Sequence, residues 1–267
     1  MDDFAIVVFS CDKNDEVWPV FKHCLDKYWD NHPNTYLLTE TIKYNEIKTI
    51  CRNYEIDKWT RRIRESLEEI PENNLLFICD DCFLNKKINY EKFLKSLDLL
   101  NKDNVACVQY EVSGDPADID CEYEGFKKKT PNSMYVVSLL CGIWKKDKLI
   151  KVIEEDMSPW NIEQKQDSKG FDYYQVKDDK ILSWYRDALG ANAAIRMGRW
   201  MPGIKEFLQE ENLTINLNKK GLWPDDFWPR YYYLDNMINV KKDIIKKATE
   251  EKERYEKELY DMFEKYR

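Results

Sequence analysis

Two adjacent carboxylates, Asp80 and Asp81, follow directly after the apolar run LLFIC. A continuous apolar run of this length is typical of a strand buried on both faces of a sheet. Ligands of open α/β sheets bind beyond the carboxyl ends of such strands. Paired carboxylates at that edge are costly to bury without a cation, and their hard oxygen atoms suit Mg²⁺ or Mn²⁺ bound to a diphosphate. The alternative is that Asp80 caps the next turn and that Asp81 is solvated.

Three polar residues occupy the corresponding position after an earlier apolar run, FAIVVF at residues 4–9. They are Ser10, Cys11 and Asp12. At that edge, their side chains and backbone amides would meet a nucleotide base or ribose. The alternative for Asp12 is an ordinary turn residue. The sequence contains neither GxGxxG nor GxxxxGK[ST], which excludes dinucleotide-cofactor and P-loop proteins.

A further carboxylate, Glu163, follows Trp160 by three residues in the segment SPWNIE. A carboxylate beside an indole in a loop flanked by Pro is desolvated, and the raised pKa that results suits a general base. Trp160 also offers a flat surface for a sugar ring. The alternative is a packed indole with a solvated carboxylate. Upstream, Gly142 and Trp144 are expected at a strand end, where glycine permits close approach to the backbone.

Apolar runs and helical periodicities alternate along the chain, and this alternation predicts an α/β sheet with helices on both faces. The predicted strands lie at residues 4–9, 35–39, 75–79 and 104–110, and the predicted helices at 15–29, 57–70, 90–100 and 146–155. The polar residues 111–133 are expected to form a long loop. A periodic segment from residue 237 to the end predicts one long helix.

Composition restricts the class of protein. The net charge of -8 disfavours duplex nucleic acid as a partner. No apolar run approaches the roughly 18 residues of a membrane-spanning helix, and the first residues do not form a secretory signal. Eight cysteines stand mostly alone within apolar runs, and the CxxC of Cys79 and Cys82 has no second close pair. We therefore expect no zinc site, but reduced, buried thiols in a cytoplasmic protein.

Several segments, taken in order, resemble the GT-A glycosyltransferases of bacterial surface-polysaccharide loci. They are SCDKND, WTRRI from Trp59, LLFICDDCFL, SLLCGIWKKDKL and SPWNIEQ, and together they cover roughly residues 4–165. The resemblance implies a Rossmann-like mixed sheet flanked by helices. We expect residues 1–235 to form the catalytic domain and residues 236–267 to form a C-terminal helix. That helix would pack on its own domain, form a homodimer or lie on the inner face of the cell membrane.

The resemblance also implies roles for the candidate residues. In similar sequences a DxD motif holds a metal-bound nucleoside diphosphate, and here that motif is Asp80-Asp81-Cys82, without the third carboxylate. The implied cofactor is Mn²⁺ or Mg²⁺ on Asp80 and Asp81. The implied donor-binding residues are Ser10, Cys11, Asp12, Trp59, Arg62 and Asp80, with Arg62 helping to stabilise the departing diphosphate. The implied acceptor-binding residues are Gly142, Trp144 and Trp160, and the implied catalytic residues are Asp81 and the base Glu163.

The expected activity is transfer of a hexose from a nucleotide sugar, with a UDP-sugar favoured, to a saccharide or lipid-linked saccharide acceptor. Two alternatives stay open at this point. The acidic strand edge would also serve a phosphatase or sugar-phosphate hydrolase, although neither FSCDKND nor FICDDCF supplies the DxDxT of haloacid-dehalogenase phosphatases. An inactive interaction protein on the same fold is the other alternative.

Overall fold

The structure, a computed structural model, describes residues 3–112, 114–178, 180–186, 193–225 and 227, and near the C-terminus residues 246, 247, 249–254 and 257. Within these residues the main element is a mixed sheet of nine strands. Its strands are β1 (Phe4–Phe9), β2 (Thr35–Thr39), β3 (Lys48–Cys51), β4 (Asn74–Cys79), β5 (Val105–Gln109), β6 (Ile119–Asp120), β7 (Phe126–Lys128), β8 (Cys141–Lys145) and β9 (Asp172–Val176). A separate hairpin pairs β10 (Ile195–Arg196) with β11 (Arg199–Trp200).

The strand order is β3-β2-β1-β4-β8-β5-β9-β7-β6. The first four strands in this order are parallel, and β8 is antiparallel to both of its neighbours, β4 and β5. Therefore β5 and its parallel partner β9 run in the same direction as β1 and β4. The carboxyl ends of β1, β4, β5 and β9 consequently meet at one edge of the sheet.

Helices cover both faces of the sheet, as the alternating pattern predicted. They are α1 (Trp18–Tyr28), α2 (Trp59–Leu67), α3 (Tyr90–Leu100), α4 (Lys146–Val152), α5 (Pro159–Lys165) and α6 (Ile204–Glu210). One core cluster joins α1, α3 and α6 to the sheet through residues such as Phe21, Phe93 and Phe207. The other joins α2, α4 and α5 to the opposite face, with Ile63, Leu149 and Ile162 among its members. Successive residues of β1 and residues 75–78 of β4 alternate between the two clusters, which explains their continuous apolar runs.

Two local predictions need correction, and one edge strand was not predicted. The segment 111–133 is not one long loop, because β6 and β7 form within it and β7 pairs with β9. The segment containing Glu163 is a helix, α5, rather than a loop. It begins after the N-cap Ser158, whose side chain accepts a hydrogen bond from the Asn161 amide. Strand β3 lies at the sheet edge in a polar segment for which no strand was predicted.

All eight cysteines are free, and four of them are fully buried. The predicted division at residue 235 and most of the predicted helix over residues 236–267 lie outside the described residues, although residues 249–254 are helical. Within the part of the chain that the structure describes, no helix is both long and apolar enough to cross a bilayer.

Candidate active site

The two adjacent aspartates lie where the sequence places them, immediately after β4, and both are buried. Asp80 accepts hydrogen bonds from the Ser10 hydroxyl and, at 3.2 Å, from Asn14 Nδ2. Asp81 Oδ2 accepts a hydrogen bond from the Ile195 amide at 3.0 Å. The alternative in which Asp81 is solvated is therefore wrong, and both carboxylates are fixed in place by neighbouring elements.

Burial changes the protonation of this pair. Removal from water, with a further contribution from the charge of Asp81, raises the pKa of Asp80 to about 7. Burial likewise raises the pKa of Asp81 above its ordinary value. Two carboxylates held this close together in a dry environment favour binding of either a proton or a cation.

The donor atoms at this position fit a hard divalent cation. One ligand atom each from Cys79, Asp80 and Asp81 lies within 4.8 Å of the others. The pKa of the Cys79 thiol is raised well above its usual range, first by burial and then by the two carboxylates. A thiol that stays protonated is a poor ligand for zinc, whereas carboxylate oxygens suit Mn²⁺ or Mg²⁺. Cys82, at the third position of the motif, is buried in the hydrophobic core.

A cavity of about 680 Å³ lies at the carboxyl ends of β1, β4, β5 and β9. Its lining comprises Phe9, Asn14, Cys79, Asp81, Gln109, Glu111, Val112, Lys129, Met134, Tyr135, Ser138, Leu139, Leu140, Pro159, Trp160, Glu163, Gln175 and Ile195. Asp81 and Glu163, which are far apart in sequence, thus open onto one space. This volume is within the range of small-molecule binding sites.

The structure places Glu163 and Trp160 on α5 at the wall of this cavity. Glu163 Oε1 accepts a hydrogen bond from the Leu139 amide at 2.9 Å, which orients the carboxylate. Burial raises the pKa of Glu163, which is the direction that the sequence predicted. The Trp160 side chain is exposed rather than packed, so its ring is accessible to a ligand.

Glu111 is a cavity carboxylate that the sequence analysis did not identify. It stands two residues after β5 ends at Gln109, just as Asp81 stands two residues after β4 ends at Cys79. Burial and the nearby charge of Glu163 raise its pKa. The rule that drew attention to Asp81, an acid just beyond a buried parallel strand, would have identified Glu111 as well.

Asp12 binds the backbone of a neighbouring segment and does not line the cavity. Its carboxylate accepts hydrogen bonds from the Thr41 and Ile42 amides and from the Thr41 hydroxyl. These bonds lower its pKa against the opposing effect of burial, which is the largest single influence. Cys11 is half-buried, and burial raises the pKa of its thiol to about 11. Ser10 is buried, and its hydroxyl donates a hydrogen bond to Asp80.

Arg62 and Trp59 also lie outside the cavity lining. The Arg62 guanidinium is buried and donates to Glu40 Oε1 at 2.6 Å and to the Ser10 carbonyl at 2.8 Å. Trp59 packs edge-on against Phe9, with ring centroids 5.7 Å apart. Both residues thus contact the end of β1, Arg62 through the Ser10 carbonyl and Trp59 through the Phe9 ring. The predicted contact of Arg62 with a departing diphosphate finds no support in this placement.

Gly142 and Trp144 lie within β8 instead of at a strand end, and neither lines the cavity. Trp144 is fully buried and meets Tyr173 edge-on at 5.8 Å. A Cβ on Gly142 would lie 2.8 Å from Cys107 Sγ, so the close approach that this glycine permits is to a neighbouring strand. Both residues therefore stabilise the sheet that carries the site.

A positive charge that the sequence gave no reason to expect comes from Lys220. Its ammonium donates to the Lys13 carbonyl, and its charge acts to lower the pKa of both Asp81 and Cys11. Lys220 is thus held beside Lys13, whose neighbour Asn14 lines the cavity and donates to Asp80. Only tertiary structure brings it there, from a segment distant in sequence.

The chain is similar in structure to several transferases of known structure. It resembles a cytidylyltransferase from Leptospira borgpetersenii with 10% identity and a TM-score of 0.44, over 68% of this chain and 78% of that one. It resembles residues 1–349 of S. aureus TarS in complex with UDP with 12% identity and a TM-score of 0.45, over 67% of this chain and 59% of that one. Similarity at this level assigns neither an activity nor a substrate.

No protein-family profile and no curated protein sequence matches the chain.

Proposed function

We propose that this protein is a glycosyltransferase that moves a sugar from a nucleoside-diphosphate sugar to a saccharide or lipid-linked saccharide. The observation that supports this proposal most directly is that Asp81 and Glu163 line one cavity. Such a reaction needs a site for the diphosphate and a base for the attacking hydroxyl, and in this proposal Asp81 and Glu163 would provide them.

The aspartate end would bind the donor. Asp80 and Asp81 would hold Mn²⁺ or Mg²⁺, with Cys79 beside them. The metal ion, when bound, would neutralise negative charge on the diphosphate. Lys220, whose charge already reaches Asp81, would contribute a second positive charge to the departing diphosphate in place of Arg62. A UDP-sugar is the donor we favour.

The glutamate end would bind the acceptor. Glu163, oriented by the Leu139 amide and with the Ser138 side chain beside it, would take the proton from the acceptor hydroxyl as that hydroxyl attacks the sugar carbon. Its raised pKa makes it a better base than an ordinary glutamate. Direct attack by the acceptor inverts the sugar carbon. The exposed Trp160 ring would lie against the acceptor.

In this proposal residues 1–235 make up the catalytic domain of a hexosyltransferase that works in the cytoplasm. The segment 236–267 would act as a separate helix that packs on this domain, pairs two copies or contacts the inner membrane surface. The acceptor would belong to surface-polysaccharide synthesis.

The test combines ligand binding with turnover. We expect UDP, scanned beside the other nucleoside diphosphates, to raise the melting temperature more in Mn²⁺ than in a chelator. Asp81→Asn should abolish that shift. Glu163→Gln should retain it, yet lower UDP release from UDP-sugars with simple glycoside acceptors by about 10²–10⁴-fold. Glu154→Gln, at an exposed position after α4, is the matched control and should change neither quantity.

Two results would contradict the proposal. One is the absence of a shift with any nucleoside diphosphate, with or without metal. The other is release of free sugar at the same rate whether or not a glycoside acceptor is present, because that result indicates a hydrolase.

A further inference from the structure

We propose that the acceptor end of the cavity selects saccharides that are uncharged or carry an amino group and rejects acidic saccharides, and that Glu111 is a residue that sets this preference. The inference rests on the proposed function, since it names the substrate class of the same site. We call Gln109, Glu111 and Glu163 the acceptor floor.

Glu111 lines the cavity, and among the residues that the structure describes its oxygens accept no hydrogen bond and form no ion pair. The charges that act on it are those of Glu163, Lys129 and Arg186. A largely buried carboxylate without a partner is costly, and a ligand that donates to it would remove that cost.

Gln109 adds a second acceptor that has no partner within the described part of the chain. Its side chain is 2% exposed and lines the same cavity. Its amide nitrogen donates to the carbonyls of Tyr135 and Val136, at 3.2 and 2.8 Å. The amide oxygen accepts no hydrogen bond from any residue that the structure describes. Because both amide hydrogens are in use, Gln109 can offer a ligand only an acceptor.

The buried cation beside the floor is already engaged. Lys129 Nζ lies 3.4 Å from Asp118 Oδ1 and donates to the Met134 carbonyl at 3.1 Å, and this ion pair is almost completely removed from solvent. Lys129 therefore balances Asp118, and Arg186 is the other cation whose charge acts on Glu111. The floor offers oxygen acceptors and negative charge to whatever enters.

The acceptors and negative charge of the acceptor floor determine which saccharides fit the cavity. Sugar hydroxyls and a protonated amine donate hydrogen bonds, so they match the acceptor floor. A carboxylate or phosphate on the ring would bring a like charge into a poorly solvated space and find no free donor on the floor. Met134, Tyr135 and Trp160 are exposed and line the same cavity. A cavity that combines apolar and aromatic side chains with the polar acceptor floor suits a ring with one apolar face and hydroxyls at its edge.

The test uses three methyl glycosides that differ only in charge: the neutral hexoside, the 2-amino-2-deoxyhexoside and the hexuronide. Each is prepared in the gluco, galacto and manno series. Their dissociation constants are measured by ligand-observed NMR at pH 7, for the full chain alone and with UDP and Mn²⁺. The variants are Glu111→Gln and, as a control on the exposed face of α3, Glu91→Gln.

In at least one series, we expect the neutral and amino sugars to bind about tenfold or more tightly than the hexuronide. Glu111→Gln should reduce that ratio to about threefold or less, whereas Glu91→Gln should leave it unchanged. Thermal unfolding of each variant shows whether the fold is intact.

Equal affinity for the three sugars, a ratio unaffected by Glu111→Gln, or no saturable binding in any series would overturn the inference. UDP binding separates this outcome from failure of the proposed function. If UDP binds but the sugars do not discriminate, only the inference fails. If the sugars discriminate but no nucleoside diphosphate binds, the proposed transfer reaction fails and the saccharide site stands.

Discussion

The Ser10 hydroxyl donates a hydrogen bond to the Asp80 carboxylate, and it does so from the end of the strand that lies beside β4. Ser10 Oγ in turn accepts a hydrogen bond from Trp18 Nε1 at 2.6 Å. This relay, from an indole through a hydroxyl to a carboxylate, is buried throughout. It orients Asp80 before any ligand arrives.

Removing the middle of this relay should destabilise the protein. Ser10→Ala leaves the Trp18 N–H without its acceptor and Asp80 without a donor, so we expect a loss of about 1–3 kcal/mol in the free energy of unfolding. The loss should be smaller in a Trp18→Phe background, which lacks the N–H. Urea unfolding of the four proteins in this double-mutant cycle measures the coupling. Additive effects would show that the relay has no energetic role.

Burial of the aspartate pair predicts a dependence of stability on pH. In the fold the pKa of Asp80 is raised from 3.8 to about 7, so between these values the folded chain holds a proton that the unfolded chain has lost. The free energy of unfolding of the metal-free protein should therefore fall as the pH rises through this window, and the raised pKa of Asp81 acts with the same sign.

Urea unfolding at several pH values in a chelator checks this dependence. Asp80→Asn should flatten the slope, and Asp30→Asn, at an exposed carboxylate paired with Lys87, should not. Mn²⁺ should stabilise the wild type more at pH 7 than at pH 5, because the ion competes with the proton. An identical slope in the wild type and Asp80→Asn would refute this explanation.

The parts of the site that were predictable are those carried by buried strands. FAIVVF and LLFIC are apolar on both faces, so their strand identity and the edge position of the residues after them follow from local sequence. The placement of Asp80 and Asp81 was confirmed for this reason. Glu111 was accessible to the same rule but was included in a segment interpreted as a loop.

Contacts between distant segments were not predictable. Arg62 was interpreted as a ligand-binding cation because nothing local shows that Glu40 and the Ser10 carbonyl already occupy it. Gly142 was predicted to bind the acceptor because a single sequence does not show which part of the backbone the glycine approaches. Helix α5 did carry a local signal, a Ser N-cap followed by Pro, but its short length gave little periodicity.

Close packing at Gly142 predicts that adding a single methyl group there destabilises the protein. In Gly142→Ala the new Cβ would meet Cys107 Sγ at 2.8 Å and the Val108 carbonyl at 3.2 Å, so we expect a loss of about 1–3 kcal/mol in the free energy of unfolding. Cys107→Ala should restore part of this loss, since it removes the sulfur but not the carbonyl. Gly114→Ala, with nothing within 4 Å of the new Cβ, is the matched control. Equal stability of the two alanine variants would contradict the proposed crowding.

The placement of Arg62 predicts a structural rather than a ligand-binding effect. A lysine cannot replace both contacts of the planar guanidinium, so Arg62→Lys should lower the free energy of unfolding by roughly 2–4 kcal/mol. Arg61→Lys, on the exposed side of the same helix and paired with Asp156, should cost much less. The affinity for UDP in Mn²⁺, measured by calorimetry at a temperature where Arg62→Lys remains folded, should change by less than about threefold. Lys220→Ala should weaken UDP binding without a comparable loss of stability. The reverse pattern, with weak binding in Arg62→Lys and normal binding in Lys220→Ala, would indicate that Arg62 and not Lys220 contacts the diphosphate.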